Sequence, residues 1–153
     1  MSFQEYTWSC KIMEELPGYR CTGGKSYEEI SKAEDTLLIH FSPQCREFYH
    51  EYGSVLFEGT EIFGIRDDPD NSVLEGNIVP YMLYDRKNYK MPTEWVPVYN
   101  YGDGTLAYFD YSQFNSEGEP PVIRAYHDSY HYHFVVLGTV AHDFGQLLQE
   151  LVK

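Results

Sequence analysis

The sequence predicts an α+β fold in which a mostly antiparallel sheet is flanked by helices. Three observations predict it. Capped, amphipathic segments occupy the first third of the chain and its C-terminal end. Short β-prone runs joined by glycine-rich turns fill the region between, and hairpins pair antiparallel strands. Apolar residues make up 42% of the chain and aromatic residues 17%, which is enough to form a packed core.

Five helices are predicted from apolar stripes and capping residues. Ser26 and Glu29 form a capping box, and Ser42-Pro43 places a helix cap before a proline at the first helical position. Gly53 follows as a left-handed C-terminal cap. Thr139 is the predicted cap of the last helix. The predicted ranges are 3–16, 26–38, 42–53, 78–89 and 140–152.

The strongest strand signal is a hairpin over residues 94–111. Trp95, Pro97 and Tyr99 alternate with two valines, as expected for a strand with two distinct faces. Gly102-Asp103-Gly104 supplies residues that tolerate positive φ, which a tight turn needs. Further strands are predicted at 55–57, 61–65, 121–125 and 134–137, whereas the tyrosine- and histidine-rich segment 126–133 gives no clear prediction.

Length and charge limit the classes of partner. We expect the 153 residues to form one domain. The formal net charge of −13 repels nucleic acid and anionic membranes, so neither is an expected partner. Such a charge speeds association with a basic protein, although solubility alone also accounts for it.

The cysteines and the N-terminus predict a cytoplasmic location. Cys10, Cys21 and Cys45 are an odd number with no close pair, which disfavours a disulfide framework. The N-terminus lacks the basic and apolar regions of a signal peptide. No run of about 18 apolar residues is present.

No catalytic or metal-binding constellation emerges from the motifs. His127, His131 and His133 have the spacing H-x3-H-x-H, which matches no strong zinc signature. The loop 67–71 lacks the register of a calcium loop, and Gly102-Asp103-Gly104 lacks a phosphate-loop context. No serine or cysteine lies in a nucleophile motif. We therefore expect a non-enzyme without metal or cofactor.

Three blocks of sequence resemble the SUKH superfamily, which includes the yeast Smi/Knr cell-wall-synthesis regulators and many bacterial immunity proteins. The first is the capped helix 27–30 followed by Phe41-Ser42-Pro43 and the helix ending in Gly53. The second is the strand 61–65, which contains Gly64. The third is Trp95-Val96-Pro97-Val98 with the Gly-Asp-Gly turn and Tyr108-Phe109-Asp110. The resemblance covers about residues 26–151, and residues 1–25 form an N-terminal extension.

The resemblance implies a SUKH-like fold and a binding module, a bacterial immunity protein that neutralises a cognate toxin such as a nuclease. A regulatory protein-binding scaffold is the alternative, and a metal-dependent hydrolase is less favoured. The expected chain is a monomer or a weak homodimer. The candidate partner contacts, which could equally be ordinary solvated surface, are Glu58, Glu61, Asp67, Asp68, Asp70, Tyr126, His127, Tyr130 and His131. The residues expected to be structural are Trp95, Gly102, Gly104 and Asp110.

Overall fold

A computed structural model of the chain describes residues 2–67 and 76–153. Within those ranges it contains five helices and seven strands. In chain order they are α1 Ser2–Met13, β1 Arg20–Cys21, α2 Tyr27–Leu37, α3 Pro43–Glu51, β2 Val55–Phe57, β3 Thr60–Ile62, α4 Ile78–Tyr89, β4 Trp95–Asn100, β5 Leu106–Asp110, β6 Val122–Asp128, β7 His133–Ala141 and α5 Phe144–Leu151.

The strands form two antiparallel sheets, with the orders β1-β2-β3 and β4-β5-β6-β7. The two sheets meet where the backbone N–H of Phe63, just after β3, donates to the carbonyl oxygen of Val98 in β4 at 2.9 Å. The helices pack around this pair of sheets. The predicted α+β architecture is therefore confirmed.

The core draws on all five helices and both sheets, and one group of its aromatic rings lies between the larger sheet and helices α1, α3 and α5. Phe144 at the start of α5 is at the centre of this group, with ring centroids 5.1 Å from both Phe48 of α3 and Phe109 of β5. Tyr6 of α1 lies 5.9 Å away on the other side. Burial of these rings supplies much of the driving force for folding, since each aromatic side chain removes a large apolar area from water.

The sequence signals at the starts of α2 and α3 are confirmed. The backbone N–H of Glu29 donates to the Ser26 hydroxyl, and the Glu29 carboxylate accepts from the Ser26 N–H, which completes the capping box. Ser42 accepts from the Cys45 N–H at 3.4 Å, and Pro43 opens α3. These caps are local in sequence, so they could be identified without knowing the tertiary structure.

The predicted cap of α5 is wrong. Thr139 lies inside β7, and Asp143 is the true N-cap, accepting the Gln146 N–H at 2.9 Å. The choice between the two caps depends on a tertiary contact. The other Asp143 oxygen accepts a hydrogen bond from the side-chain amide of Gln44 in α3 at 3.3 Å. Asp143 is fully buried, so this pair ties the first turns of α3 and α5 together.

We expect Asp143→Ala to lower the free energy of unfolding by about 2–3 kcal/mol, because it removes a helix cap and leaves the buried Gln44 amide unpaired. Urea denaturation followed by circular dichroism measures this loss. Thr139→Ala is the matched control. Because Thr139 is exposed in a strand, this substitution should change the free energy of unfolding by no more than about 0.5 kcal/mol. A larger loss at Thr139 than at Asp143 would contradict the assignment of the cap.

The strands around the segment 126–133 also differ from the prediction. β6 continues to Asp128, and β7 runs over nine residues, so the unassigned segment is the distal part of a long hairpin. Arg20 and Cys21 form the short strand β1, which pairs with β2 and was not predicted. Tyrosine, histidine and aspartate are ambiguous between strand and turn, and only cross-strand pairing decides between them.

The four residues expected to be structural lie in the β4–β5 hairpin. Trp95 is 6% exposed, and Asp110 is buried. The Asp110 carboxylate accepts from the backbone N–H of Ser112 at 3.0 Å and from its hydroxyl at 2.6 Å, which fixes the chain as it leaves β5. Gly102 and Gly104 have φ angles of 82° and 94°, so the turn uses their conformational freedom.

Candidate partner-binding site

The distal part of the β6–β7 hairpin extends beyond the rest of its sheet. β5 pairs with residues 122–125 only, while β6 and β7 remain paired as far as Asp128 and His133. β4 and β7 stand three strand spacings apart, about 14 Å in a flat sheet. Yet the ring of Phe134 in β7 lies 5.6 Å from that of Trp95 in β4. The hairpin must therefore curl over one face of the sheet.

A groove of about 240 Å³ lies between this curled hairpin and α4. Its two sides meet where the Tyr89 ring of α4 lies 4.9 Å from the His127 ring of β6. Its lining is mostly aromatic and includes one carboxylate. The lining residues are Tyr81, Asp85, Tyr89, Gly104, Leu106, Tyr108, Tyr126, His127, Ser129 and Phe134.

The tip of the hairpin, residues 129–132, is an ordered turn. The Asp128 carboxylate accepts the backbone N–H groups of Tyr130 and His131 at 3.0 and 3.2 Å, and its second oxygen pairs with His131 Nδ1 at 2.8 Å. The hydrogen bond from the His131 side chain holds the pKa of the Asp128 carboxyl below its usual value. Tyr130 and Tyr132 project from this turn with 87% and 79% of their surface exposed.

Tyr132 is in a conformation that tyrosine disfavours. Its φ is 59°, in the left-handed region that glycine and asparagine adopt most readily, and a side chain there costs about 1–2 kcal/mol. The side chain is exposed, so little packing offsets this cost. The strain at Tyr132 is therefore not explained by packing within the chain.

Ring contacts join the groove and α4 into one aromatic surface, and the tip adjoins it through Ser129, which lines the groove. Tyr84 lies 6.0 Å from Tyr89, Tyr89 contacts His127, and His127 lies 5.0 Å from Phe134. We call this the α4–hairpin surface and define it as the groove lining together with Tyr84 and residues 130–132. Tyrosine suits such a surface because an apolar ring and a polar tip can both be used in a contact.

The predicted contacts from β6 and the tip all belong to this surface. Tyr126 and His127 are half-buried in the groove, whereas Tyr130 and His131 are exposed at the tip. Tyr81, Tyr84, Asp85, Tyr89 and Tyr132 were not predicted as contacts from the sequence. The signal for three groove residues was the i, i+4 spacing of Tyr81, Asp85 and Tyr89, which places them on one face of a helix.

The predicted acidic contacts lie elsewhere. Glu58 is exposed in the β2–β3 turn, and Glu61 forms an ion pair with Arg66 at 3.4 Å. Asp67 pairs with the buried Lys25 at 2.7 Å, so part of its charge is neutralised within the chain. Asp68 and Asp70 lie outside the residues that the structure describes.

Asp67 and the tyrosine–histidine segment are not brought together. Asp67 lines a second groove with Val79 and Pro80 of α4. At about 100° per residue, these two positions point away from Tyr81 and Tyr89, which line the first groove. Asp67 and the tyrosine–histidine segment therefore lie on opposite sides of α4.

The histidines do not converge on one point. The rings of His131 and His133 are 5.9 Å apart, but His127 packs between Tyr89 and Phe134. Over residues 2–67 and 76–153, no group of three histidine, cysteine, aspartate or glutamate side chains is placed to hold a metal ion.

Two of the three thiols are chemically inert. Burial raises the pKa of the Cys10 and Cys45 thiols to about 12, so the reactive thiolate is almost absent at neutral pH. Cys21 is exposed, and all three thiols are free. The helices in the described part of the chain are all too short or too polar to cross a membrane.

The described residues form an α+β domain that carries an exposed aromatic surface. The family model SUKH_5, described as SMI1-KNR4 cell-wall, matches residues 11–152. The chain therefore belongs to the SUKH superfamily, as the sequence motifs predicted. SUKH domains are known from immunity proteins, are generally non-catalytic, and act through protein partners. A comparison with curated proteins gave no match.

Proposed function

We propose that this chain is an immunity protein that binds a cognate toxin of a polymorphic or contact-dependent system and neutralises it in the cytoplasm without catalysis. The observation that carries the proposal is the α4–hairpin surface on a SUKH domain. Exposed tyrosines on an ordered turn, beside an aromatic groove, have the composition of interface hot spots. The ordered turn limits the entropy lost on binding, because Asp128 already fixes the loop.

Net charge supports a basic toxin, plausibly a nuclease. A surface of formal charge −13 attracts a nuclease that is itself basic in order to hold phosphate groups. Asp67 stands on the far side of α4 from the tyrosines, and Glu58 is exposed in the β2–β3 turn outside the groove lining. We assign these charges to the long-range field and the association rate rather than to the contact itself.

A regulatory scaffold is the second candidate, and the description of the matching family as cell-wall proteins favours it. Its partner would be a component of cell-wall synthesis instead of a toxin. The α4–hairpin surface serves either role, so the two candidates differ in the identity of the partner and not in the site.

Co-expression tests the proposal. Where a neighbouring reading frame encodes a toxin-like domain, that domain is expressed alone and together with this chain. We expect it to arrest growth alone, growth to recover with the chain, and the purified proteins to elute as one complex in size-exclusion chromatography. Undiminished toxicity together with separate elution would refute the immunity proposal.

Tyr132→Asn is expected to raise stability and weaken toxin binding at once. Asparagine tolerates the left-handed backbone, so the free energy of unfolding rises by about 0.5 kcal/mol. Loss of the aromatic contact weakens affinity by about 2 kcal/mol, roughly 30-fold. Thermal denaturation and calorimetric titration measure the two effects.

Tyr27→Asn is the matched control for Tyr132→Asn. Tyr27 is an exposed tyrosine on α2, stacked on His50 and remote from the groove, so its replacement should leave toxin affinity unchanged. Equal affinity losses at both positions would contradict a role for the tip.

A further inference from the structure

We propose that the groove between α4 and the β6–β7 hairpin receives an arginine side chain of the protein partner. This inference rests on the proposed function, because it requires a partner that is a basic protein. It adds the chemical identity of the group that enters the groove.

Aromatic faces and one carboxylate make the groove suitable for a guanidinium group. Tyr89 of α4 lines the groove together with Tyr126 and Phe134 of the hairpin. Asp85 of α4 is the one carboxylate in the lining. A guanidinium group is planar, stacks on aromatic rings and donates several hydrogen bonds in a fixed fork. A volume of about 240 Å³ accommodates one long side chain but is smaller than usual ligand pockets.

His127 also lines the groove and carries one ring nitrogen without a hydrogen-bond partner among the described residues. That nitrogen, Nε2, is buried. Buried polar atoms without partners are uncommon, so this atom calls for an explanation. A neutral imidazole nitrogen accepts a hydrogen bond, and a guanidinium N–H is a suitable donor.

The chain itself contains an arginine bound in this way. The guanidinium carbon of Arg124 lies 3.9 Å from the Tyr101 ring centroid, and its Nη2 pairs with Asp103 at 2.5 Å. Arg124 Nε also donates to the Thr105 hydroxyl at 2.9 Å. Gly104, in the same turn, lines the groove. Arg124 is therefore held beside the groove by a tyrosine face, a carboxylate and a neutral acceptor. The groove contains the same three kinds of group in Tyr89, Asp85 and His127.

The inference is tested with N-acetyl-arginine amide as a probe against the full ¹⁵N-labelled chain. We expect saturable shifts of the backbone amides of Tyr89, Gly104 and His127, with a dissociation constant on the order of millimolar for one side chain. N-acetyl-citrulline amide has nearly the same shape without the charge, so it should leave these signals in place.

Tyr89→Leu should weaken binding of the probe about two- to five-fold, the effect of one exposed cation–π contact. Asp85→Asn should weaken it further, and a well-dispersed spectrum shows that this variant is folded. Tyr27→Leu is the control and should bind the probe as the unaltered chain does.

Absence of saturable shifts, or equal shifts with citrulline, overturns the arginine inference. So does an unchanged dissociation constant in folded Tyr89→Leu and Asp85→Asn. None of these results touches the immunity proposal, which is decided by recovery of growth on co-expression with the toxin. Conversely, if growth does not recover on co-expression, arginine binding to the isolated chain can still be measured.

Discussion

Trp95→Ala is expected to lower the free energy of unfolding by about 3–5 kcal/mol, the usual cost of truncating a buried aromatic side chain to alanine. Trp95 is 6% exposed, and its ring packs 5.1 Å from Tyr108 and 5.6 Å from Phe134. The substitution leaves a cavity beneath the curled hairpin, so the groove loses support as well. Urea denaturation measures the loss of stability, and the arginine probe measures the loss of the groove.

The chain contains its own control for this substitution. Trp8 is 53% exposed on α1, and Trp8→Ala should change stability by no more than about 0.5 kcal/mol. Trp95→Phe keeps a ring in the site and should cost less than Trp95→Ala. Similar losses at Trp8 and Trp95 would show that the hairpin does not depend on this buried contact.

Gly64→Ala is expected to destabilise the chain by about 3 kcal/mol or more, at the upper end of the cost of overpacking. A Cβ atom at Gly64 would lie 1.7 Å from the carbonyl oxygen of Gly53, which is backbone and cannot rotate away. That oxygen is itself held by a hydrogen bond from the Ile65 N–H at 3.1 Å, and the Gly64 carbonyl accepts from Ile78 at 2.9 Å. Relief of the clash would therefore break the junction between α3, β3 and α4.

Gly102→Ala is the control that distinguishes the steric clash at Gly64 from the cost of a positive φ angle alone. Gly102 has a φ of 82°, but a Cβ there would meet nothing within 4 Å. We expect a loss of about 1 kcal/mol from the positive φ alone. Thermal and urea denaturation of both variants give the comparison, and equal losses would refute the close approach at Gly64.

The helix boundaries show what could be predicted from local signals. Ser26 and Ser42 cap their helices through hydrogen bonds to residues three positions away, and α4 covers the predicted range of residues 78–89. The Trp95 hairpin likewise follows from alternation and a short glycine turn. Each of these features is encoded within a few consecutive residues, and that is why a single sequence was sufficient.

The start of α5 and the length of β7 could not be predicted in this way. Thr139 and Asp143 both suit an N-cap, and the choice depends on Gln44, which is 99 residues away from Asp143 in the chain. β7 extends through Thr139 because β6 pairs with it along its length. Capping propensity depends on neighbouring residues in the sequence, so it does not include the effect of such distant partners.

The candidate site was predicted only in part for the same reason. Tyr126, His127, Tyr130 and His131 were identified from their composition, but the groove exists only because the hairpin curls onto α4. The acidic residues were plausible companions by charge, yet α4 separates Asp67 from the tyrosines.

The sequence by itself determined the α+β class, most helices, the central hairpin, the SUKH family and the acidic charge. These depend on periodicity, caps, turn residues and composition, all of which are properties of the chain read in order. The tertiary structure alone decided which aromatic rings meet across the groove. Twist of the sheet and packing of Phe134 on Trp95 fix that arrangement, and both depend on residues far apart in the chain.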